Sequence, residues 1–147
     1  GTQLATQFSN NIRNNFGFLN RSEDSDPNAR DKTFRQEGRK VFKEVVPIAA
    51  AHIEGHLSDL GHAPSAVRRY WLHQANQGMN QLVIKKLAGD ASADLAPLIL
   101  DEFANTASAG SIIAFHKHRD DLVAGDIGVI CSFGAGYSVG SVVVRKR

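Results

Sequence analysis

Between Phe42 and Leu60, apolar residues recur at steps of three and four (Phe42, Val46, Ala49, Ile53, Leu57, Leu60), which marks one face of a helix ending near Gly61. Pro47 lies within this stretch and predicts a kink, because proline has no N–H to donate and its ring crowds the preceding turn. "AVRRYWLHQ" then reads as a short buried strand. "NQGMNQLVIKKLAG" reads as a helix, with Asn76 suited to the N-cap and Gly89 to the closing turn. "LAPLILDEF" predicts a second strand, and "SAGSIIAFHKHRDDL" a third helix, begun by small residues and closed before Gly125. The β-branched runs "DIGVICSF" and "YSVGSVVVRK" flank "GAG" and predict a strand pair at the end of the chain. This alternation predicts an α/β layer, with helices packed on a mostly parallel sheet and an antiparallel last strand.

Residues 1–33 break the pattern. "FSNNIRNNFGFLNRSEDSDPNARDK" is rich in Asn, Ser, Asp and Arg and reads as loop with a short helical turn. It keeps the apolar anchors Phe8, Ile12, Phe16 and Phe18, so a docked extension is expected rather than free disorder. The expected organisation is therefore a loop-rich extension or insertion over 1–33, followed by an α/β domain over 34–147.

Composition narrows the class. With 147 residues, 42% hydrophobic and 22% charged, the chain fits one globular unit. Its apolar runs are too short for a membrane span, and "GTQLATQFSNN" lacks the features of a signal peptide, so the expectation is a cytoplasmic protein. A single cysteine, Cys131, excludes an internal disulfide framework and a Cys-based zinc site. The net charge of +2 does not imply nucleic-acid binding, but it allows a local basic patch for an acidic partner. His52 and His56 have metal-ligand spacing without a third ligand nearby, and they read as helix surface, as do His116 and His118. No metal is expected. The glycines of "GAGYSVGS" lack the spacing and strand-to-helix context of a nucleotide fingerprint.

Three motifs fall at strand ends, where open α/β sheets bind ligands: "HQAN", "NTASAGS" and "FGAGYSVGS". Together with "EGRKVFK" upstream, their order and spacing from about Gly38 to Arg147 resemble the C-terminal half of β-ketoacyl-acyl-carrier-protein synthase III, a thiolase-fold condensing enzyme. The resemblance implies that His73 and Asn105 hydrogen-bond the malonyl thioester carbonyl and stabilise the enolate formed as carbon dioxide leaves. A neutral imidazole and an amide suit that task, since neither adds a charge that must be buried. Ala135 falls where the family uses a backbone N–H as an oxyanion hole. Phe42 matches a residue lining the pantetheine tunnel and Asn76 one that contacts pantetheine. Lys43, Lys85 and Lys86 match basic positions that dock acyl carrier protein (ACP). Substrates would be CoA or ACP thioesters, with no separate cofactor.

The same resemblance places the nucleophilic cysteine in an N-terminal half outside these residues, so the chain alone is expected to be inactive and to work with that half, as a homodimer of the complete unit. Cys131, in the strand before "FGAG", reads as a packing thiol. Thr6 to Arg21 looks like an insertion found in some members. Gly78 replaces an arginine common after "HQAN", and "NTASAGSII" is one residue longer than the usual pattern and lacks the proline that often follows. Two function classes follow: the C-terminal half of a decarboxylating condensing enzyme, or a non-catalytic ketosynthase-like scaffold. Two converging donors at His73 and Asn105 favour the enzyme.

Overall fold

Helix α1 (Gly38–Asp59) is the longest element in the computed structural model, which describes residues 1–14, 26, 34–90 and 93–147. It buries Val41, Val45, Val46, Ala49, Ala50, Ile53 and Leu57 and continues on both sides of Pro47. Phe42 is only half-buried and Leu60 is exposed, so the buried face starts one residue earlier than the periodicity suggested. The helix stops because Gly61 adopts φ +73°, with the Gly61 N–H donating to the Ser58 carbonyl at 2.9 Å and the His62 N–H to the Leu57 carbonyl at 2.9 Å. These two bonds satisfy carbonyls that the helix end would otherwise leave without partners.

Strand β4 (Val67–Leu72) and helix α2 (Gln77–Ala88) fall where expected. The Asn76 side chain accepts the Met79 N–H at 3.2 Å, and Gly89, at φ 69°, closes the helix. The strand expected over "LAPLILDEF" does not form. Its end is the single turn α3 (Leu100–Phe103), preceded by irregular chain. Pro97 has no N–H, and the Gln74 side chain takes the Pro97 carbonyl and the Ile99 N–H that a strand would offer its neighbour. The segment is apolar because Ala96 and Ile99 are buried, a requirement met equally well without a sheet. Helix α4 (Ala109–Lys117) ends before the charged tail that was expected to extend it.

Strands β5 (Ile127–Gly134) and β6 (Ser138–Arg145) form the expected pair. At the chain start, β1 (Thr2–Leu4) adds an edge to β6, and β2 (Ile12–Arg13) pairs with β3 (Arg35–Gln36); neither pairing was expected. The main sheet has the order β1-β6-β5-β4, parallel between β4 and β5 and antiparallel elsewhere. Side chains alternate across it. Tyr70, Leu72, Val129, Cys131 and Val139 pack into one cluster with α1 and α2, while Trp71 and Ile130 pack with Ala114 of α4 in another. Helices thus cover both faces at β4 and β5.

The described first stretch of the extension, residues 1–14, is docked on this chain. Phe8 stacks on Tyr137 with ring centroids 5.5 Å apart, Ile12 is buried, and Ala5 exchanges two backbone hydrogen bonds with Tyr137. Asn11 donates to Glu44 at 2.8 Å, and the Tyr137 hydroxyl donates to the same carboxylate at 3.0 Å, joining the extension to α1 and β6. Phe16 and Phe18 lie outside the described residues. Among the described residues, no helix is long and apolar enough to cross a membrane.

His52 and His56 are not a solvated surface. Both rings meet the Ser141 hydroxyl of β6, at 2.9 and 2.8 Å, so their spacing serves the helix–sheet contact. No group of three or more potential metal ligands occurs among the described residues. Cys131 is buried, and burial pushes its thiol pKa up to about 12. The thiolate is the reactive form, so iodoacetamide at pH 8 should leave Cys131 unlabelled in folded protein and label it readily in denaturant. Comparable rates in the two states would contradict the packing role.

Candidate active site

The parallel register of β4 and β5 builds the centre of the site. Leu72 lies opposite Cys131, so the next residues of the two strands, His73 and Ser132, emerge side by side. His73 Nδ1 lies 3.0 Å from Ser132 Oγ, and its ring packs on Phe133 with centroids 4.6 Å apart. His73 is 8% exposed, and this burial lowers its pKa below the ordinary histidine value because it penalises the imidazolium. The ring is therefore neutral near pH 7, with Nδ1 engaged and Nε2 left for a bound molecule.

Asn105 reaches the same cavity from outside the sheet. It sits between α3 and α4 in a loop where Ala104 and Ala107 both adopt φ 53°, a conformation that costs a residue bearing Cβ. Its Oδ1 accepts the Ala107 N–H at 2.9 Å, which orients the amide and leaves its NH2 to donate. Ala135 lies in the turn between β5 and β6, where its carbonyl accepts the Ser138 hydroxyl at 3.0 Å.

His73, Asn105 and Ala135 all line one cavity of about 420 Å³, together with Ser132, Phe133 and Met79. Ile12, Phe34 and Gln36 form part of its wall, so the short β2–β3 pair borders the site. Ile12 was expected only as an apolar anchor of the extension, and Phe34, Gln36 and Ser132 were not singled out from the sequence. The wall residues sit in a segment without periodicity, and Ser132 becomes a partner of His73 only through strand register.

The remaining expected residues lie outside that cavity wall. Phe42 packs against the core near Gly78, to which an added Cβ would stand 3.8 Å from its ring. Asn76 spends its amide oxygen on the α2 cap. Lys43, Lys85 and Lys86 are exposed, the last two in the final turn of α2, with Lys85 paired to Asp90 at 3.1 Å. A larger hollow of about 610 Å³ lies between α2 and the chain around Pro97, away from His73 and Asn105.

Comparisons with known proteins identify the family and the fold. The family described as 3-oxoacyl-[acyl-carrier-protein (ACP)] synthase III C terminal matches residues 57–146. The chain is 62% identical over 147 residues to a β-ketodecanoyl-[acyl-carrier-protein] synthase of Pseudomonas aeruginosa, covering 99% of this chain and 42% of that protein. It is 33% identical over 119 residues to a β-ketoacyl-[acyl-carrier-protein] synthase III of Gloeobacter violaceus, covering 80% of this chain and 36% of the relative. The crystal structure of 3-oxoacyl-[acyl-carrier-protein] synthase III from Aquifex aeolicus shares its fold, with a TM-score of 0.81 at 20% identity, over 99% of this chain and 43% of the other. The corresponding enzyme of Pseudomonas aeruginosa gives a TM-score of 0.78 at 24% identity, over 99% and 42%. The chain thus spans less than half the length of these relatives. A thiolase-type α/β layer and a family match over more than half of its residues place the chain in the 3-oxoacyl-[acyl-carrier-protein] synthase III C-terminal family.

Proposed function

We propose that this chain supplies the C-terminal catalytic half of a β-ketoacyl-ACP synthase III-like enzyme, which condenses an acyl-thioester starter with malonyl-ACP by decarboxylation. The observation that carries the proposal is the meeting of His73, Asn105 and Ala135 on one cavity from three separate loops. The proposed reaction uses the tautomer in which the Ser132 hydroxyl, 3.0 Å from Nδ1, donates to it, so that the His73 proton on Nε2 is offered to the thioester oxygen beside the Asn105 NH2. Both donors stabilise the negative charge that builds on that oxygen as the C–C bond to the carboxylate breaks and carbon dioxide departs. The resulting carbanion attacks the carbonyl carbon of the starter acyl thioester on the cysteine of the N-terminal half; the tetrahedral oxyanion is held by the Ala135 backbone N–H and collapses by breaking the C–S bond, which releases the cysteine thiolate and the β-ketoacyl product. Met79, Val41 and Phe133 give this cavity an apolar lining suited to an acyl or pantetheine chain, and the family resemblance assigns the pantetheine contacts to Phe42 and Asn76, which lie outside its wall. The name of the 62% identical relative supports a medium-length β-ketoacyl product.

The starter-binding cysteine belongs to an N-terminal half, since Cys131 is buried and protonated. Exposed apolar residues support a covering partner: Val142 is 56% exposed on the α4 side of the sheet, and Ile112 of α4 itself is 55% exposed. The complete unit is read as a cytoplasmic homodimer. The test is release of carbon dioxide from malonyl-ACP by the complete protein with an acyl-CoA or acyl-ACP starter. A complete protein that neither releases it nor forms a β-ketoacyl product refutes the proposal and favours the scaffold reading.

Carrier-protein docking uses the exposed lysines at the end of α2 together with Lys43 of α1. Replacing Lys85 and Lys86 with Glu should weaken ACP binding at least about tenfold at low salt and flatten the salt dependence of what remains, because surface charge pairs are screened over about 8 Å at physiological ionic strength. Turnover of a free malonyl-pantetheine thioester should be retained. Equal losses with both substrates would indicate damage to the fold instead.

A further inference from the structure

Gln74 follows His73 at the end of β4, and its side chain is completely buried. Its amide is spent on three backbone groups: Nε2 donates to the Leu72 carbonyl at 3.0 Å and the Pro97 carbonyl at 3.3 Å, and Oε1 accepts the Ile99 N–H at 3.1 Å. From Ile99 the hydrogen bonding runs on towards the site. The Phe103 N–H donates to the Ile99 carbonyl at 2.9 Å and the Ala104 N–H to the Leu100 carbonyl at 3.0 Å, and Asn105 comes next. Helix α4 rests on the same side chain. A Cβ on Gly110 would stand 2.8 Å from Gln74 Cβ, so no methyl fits between them.

We propose that Gln74 is a positioning residue that sets Asn105 against His73, an inference that rests on the malonyl-decarboxylating reading of the site. One side chain touches all three pieces: its amide holds the strand end that carries His73 and the segment that leads into Asn105, and its Cβ–Cγ stem packs against the helix that leaves the Asn105 loop. Without it, the strand end and the Asn105 loop would be joined chiefly by apolar packing, which is non-directional and tolerates sliding. The task needs two donors and one acceptor on one rigid group. Glutamine provides them without charge. An ionised glutamate would keep the Ile99 bond but face two carbonyl oxygens with no proton to offer. Gln74 itself touches no substrate: its polar atoms are all engaged, and it is absent from the cavity wall that His73 and Asn105 share.

The complete protein, with its N-terminal half, supplies the test. Gln74→Glu keeps the volume of the side chain, and Gly110→Ala keeps every hydrogen-bonding group while forcing Gln74 and α4 apart. Three quantities are followed: malonyl-ACP decarboxylation, acyl-enzyme formation from an acyl-CoA, and amide exchange at Ala104 and Ala107. For Gln74→Glu at pH 8, decarboxylation should fall about 100-fold, the loss expected for misplacement of a reacting group by about 1 Å, while acyl-enzyme formation changes less than about threefold. The decarboxylation loss should shrink as pH falls, because the glutamate's burial raises its pKa and its protonated form regains a donor. Gly110→Ala should lose about tenfold in decarboxylation with no recovery on acidification, and exchange at Ala104 and Ala107 should quicken in both variants.

Parallel loss of acylation and decarboxylation, unchanged decarboxylation, or a Gln74→Glu loss indifferent to pH would each overturn the positioning role. An unsubstituted protein that forms no product from malonyl-ACP would instead overturn the functional reading. In that case exchange at Ala104 and Ala107 still decides the structural link, which fails if both variants match the unsubstituted protein.

Discussion

His73→Ala in the complete protein is expected to lower malonyl-ACP decarboxylation by about 10² to 10³, the usual cost of removing one donor to a developing oxyanion. Acyl transfer to the nucleophile of the other half should be nearly unchanged, because the proposed mechanism assigns that step to the Ala135 backbone. The loss falls on the rate constant more than on KM, since the hydrogen bond strengthens only as charge builds on the thioester oxygen. Asn105→Ala should behave similarly, and the double variant should lose less than the product of the two, because the donors share one oxygen atom. The pH profile gives a second check. Burial lowers the His73 pKa, so its neutral form persists below the ordinary histidine value of 6.5. Any acid-side decline in decarboxylation that reports His73 should therefore lie below pH 6.5, and it should vanish in His73→Gln if that variant retains measurable activity. Full decarboxylation by His73→Ala would remove the central assignment.

Gly128→Ala should destabilise the fold by about 3 kcal/mol, at the upper end of what overpacking a core costs. Gly128 lies on β5 beside β4, and an added Cβ would stand 2.3 Å from Trp71 Cζ3 and 2.5 Å from Cη2. The indole has no room to retreat. Trp71 is 0% exposed, its Nε1 donates to the His118 carbonyl at 3.2 Å, and Phe115 packs edge-on at 4.9 Å between centroids. Glycine in a strand interior ordinarily weakens the fold by about 0.5–1 kcal/mol relative to alanine. Here the steric conflict is larger and sets the sign. Gly55→Ala is the contrasting case: nothing lies within 4 Å of its added Cβ, and the exchange within α1 should stabilise by up to about 1 kcal/mol. Denaturant titrations of the complete protein measure both. A neutral Gly128→Ala would mean that Trp71 can repack despite its three constraints.

Periodicity and capping chemistry carried much of the fold. Helices α1 and α2, strand β4 and the β5–β6 pair are legible because their patterns of 3.6 and 2.0 residues, with Asn76, Gly61 and Gly89 at the ends, all point the same way. "LAPLILDEF" misled because apolarity reports burial, while the choice between strand and irregular chain was made by Gln74, a residue more than twenty positions away. The same kind of remote contact turned His52 and His56 from a helix surface into partners of Ser141.

At the site, it was the resemblance of "HQAN", "NTASAGS" and "FGAG", in their order and spacing, to the family's motifs that nominated His73, Asn105 and Ala135, and the chemistry of neutral donors is consistent with those residue types. Their convergence on one cavity is a property of the sheet. The order β1-β6-β5-β4 brings the ends of β4 and β5 together, and their parallel register sets His73 beside Ser132. The sequence by itself determined the elements whose signals are local, together with the chemical character of the strand ends. Strand register, the β2–β3 wall of the cavity and the buried amide of Gln74 were decided only by tertiary structure, because each depends on hydrogen bonds and packing between residues far apart in the chain, which no local pattern encodes.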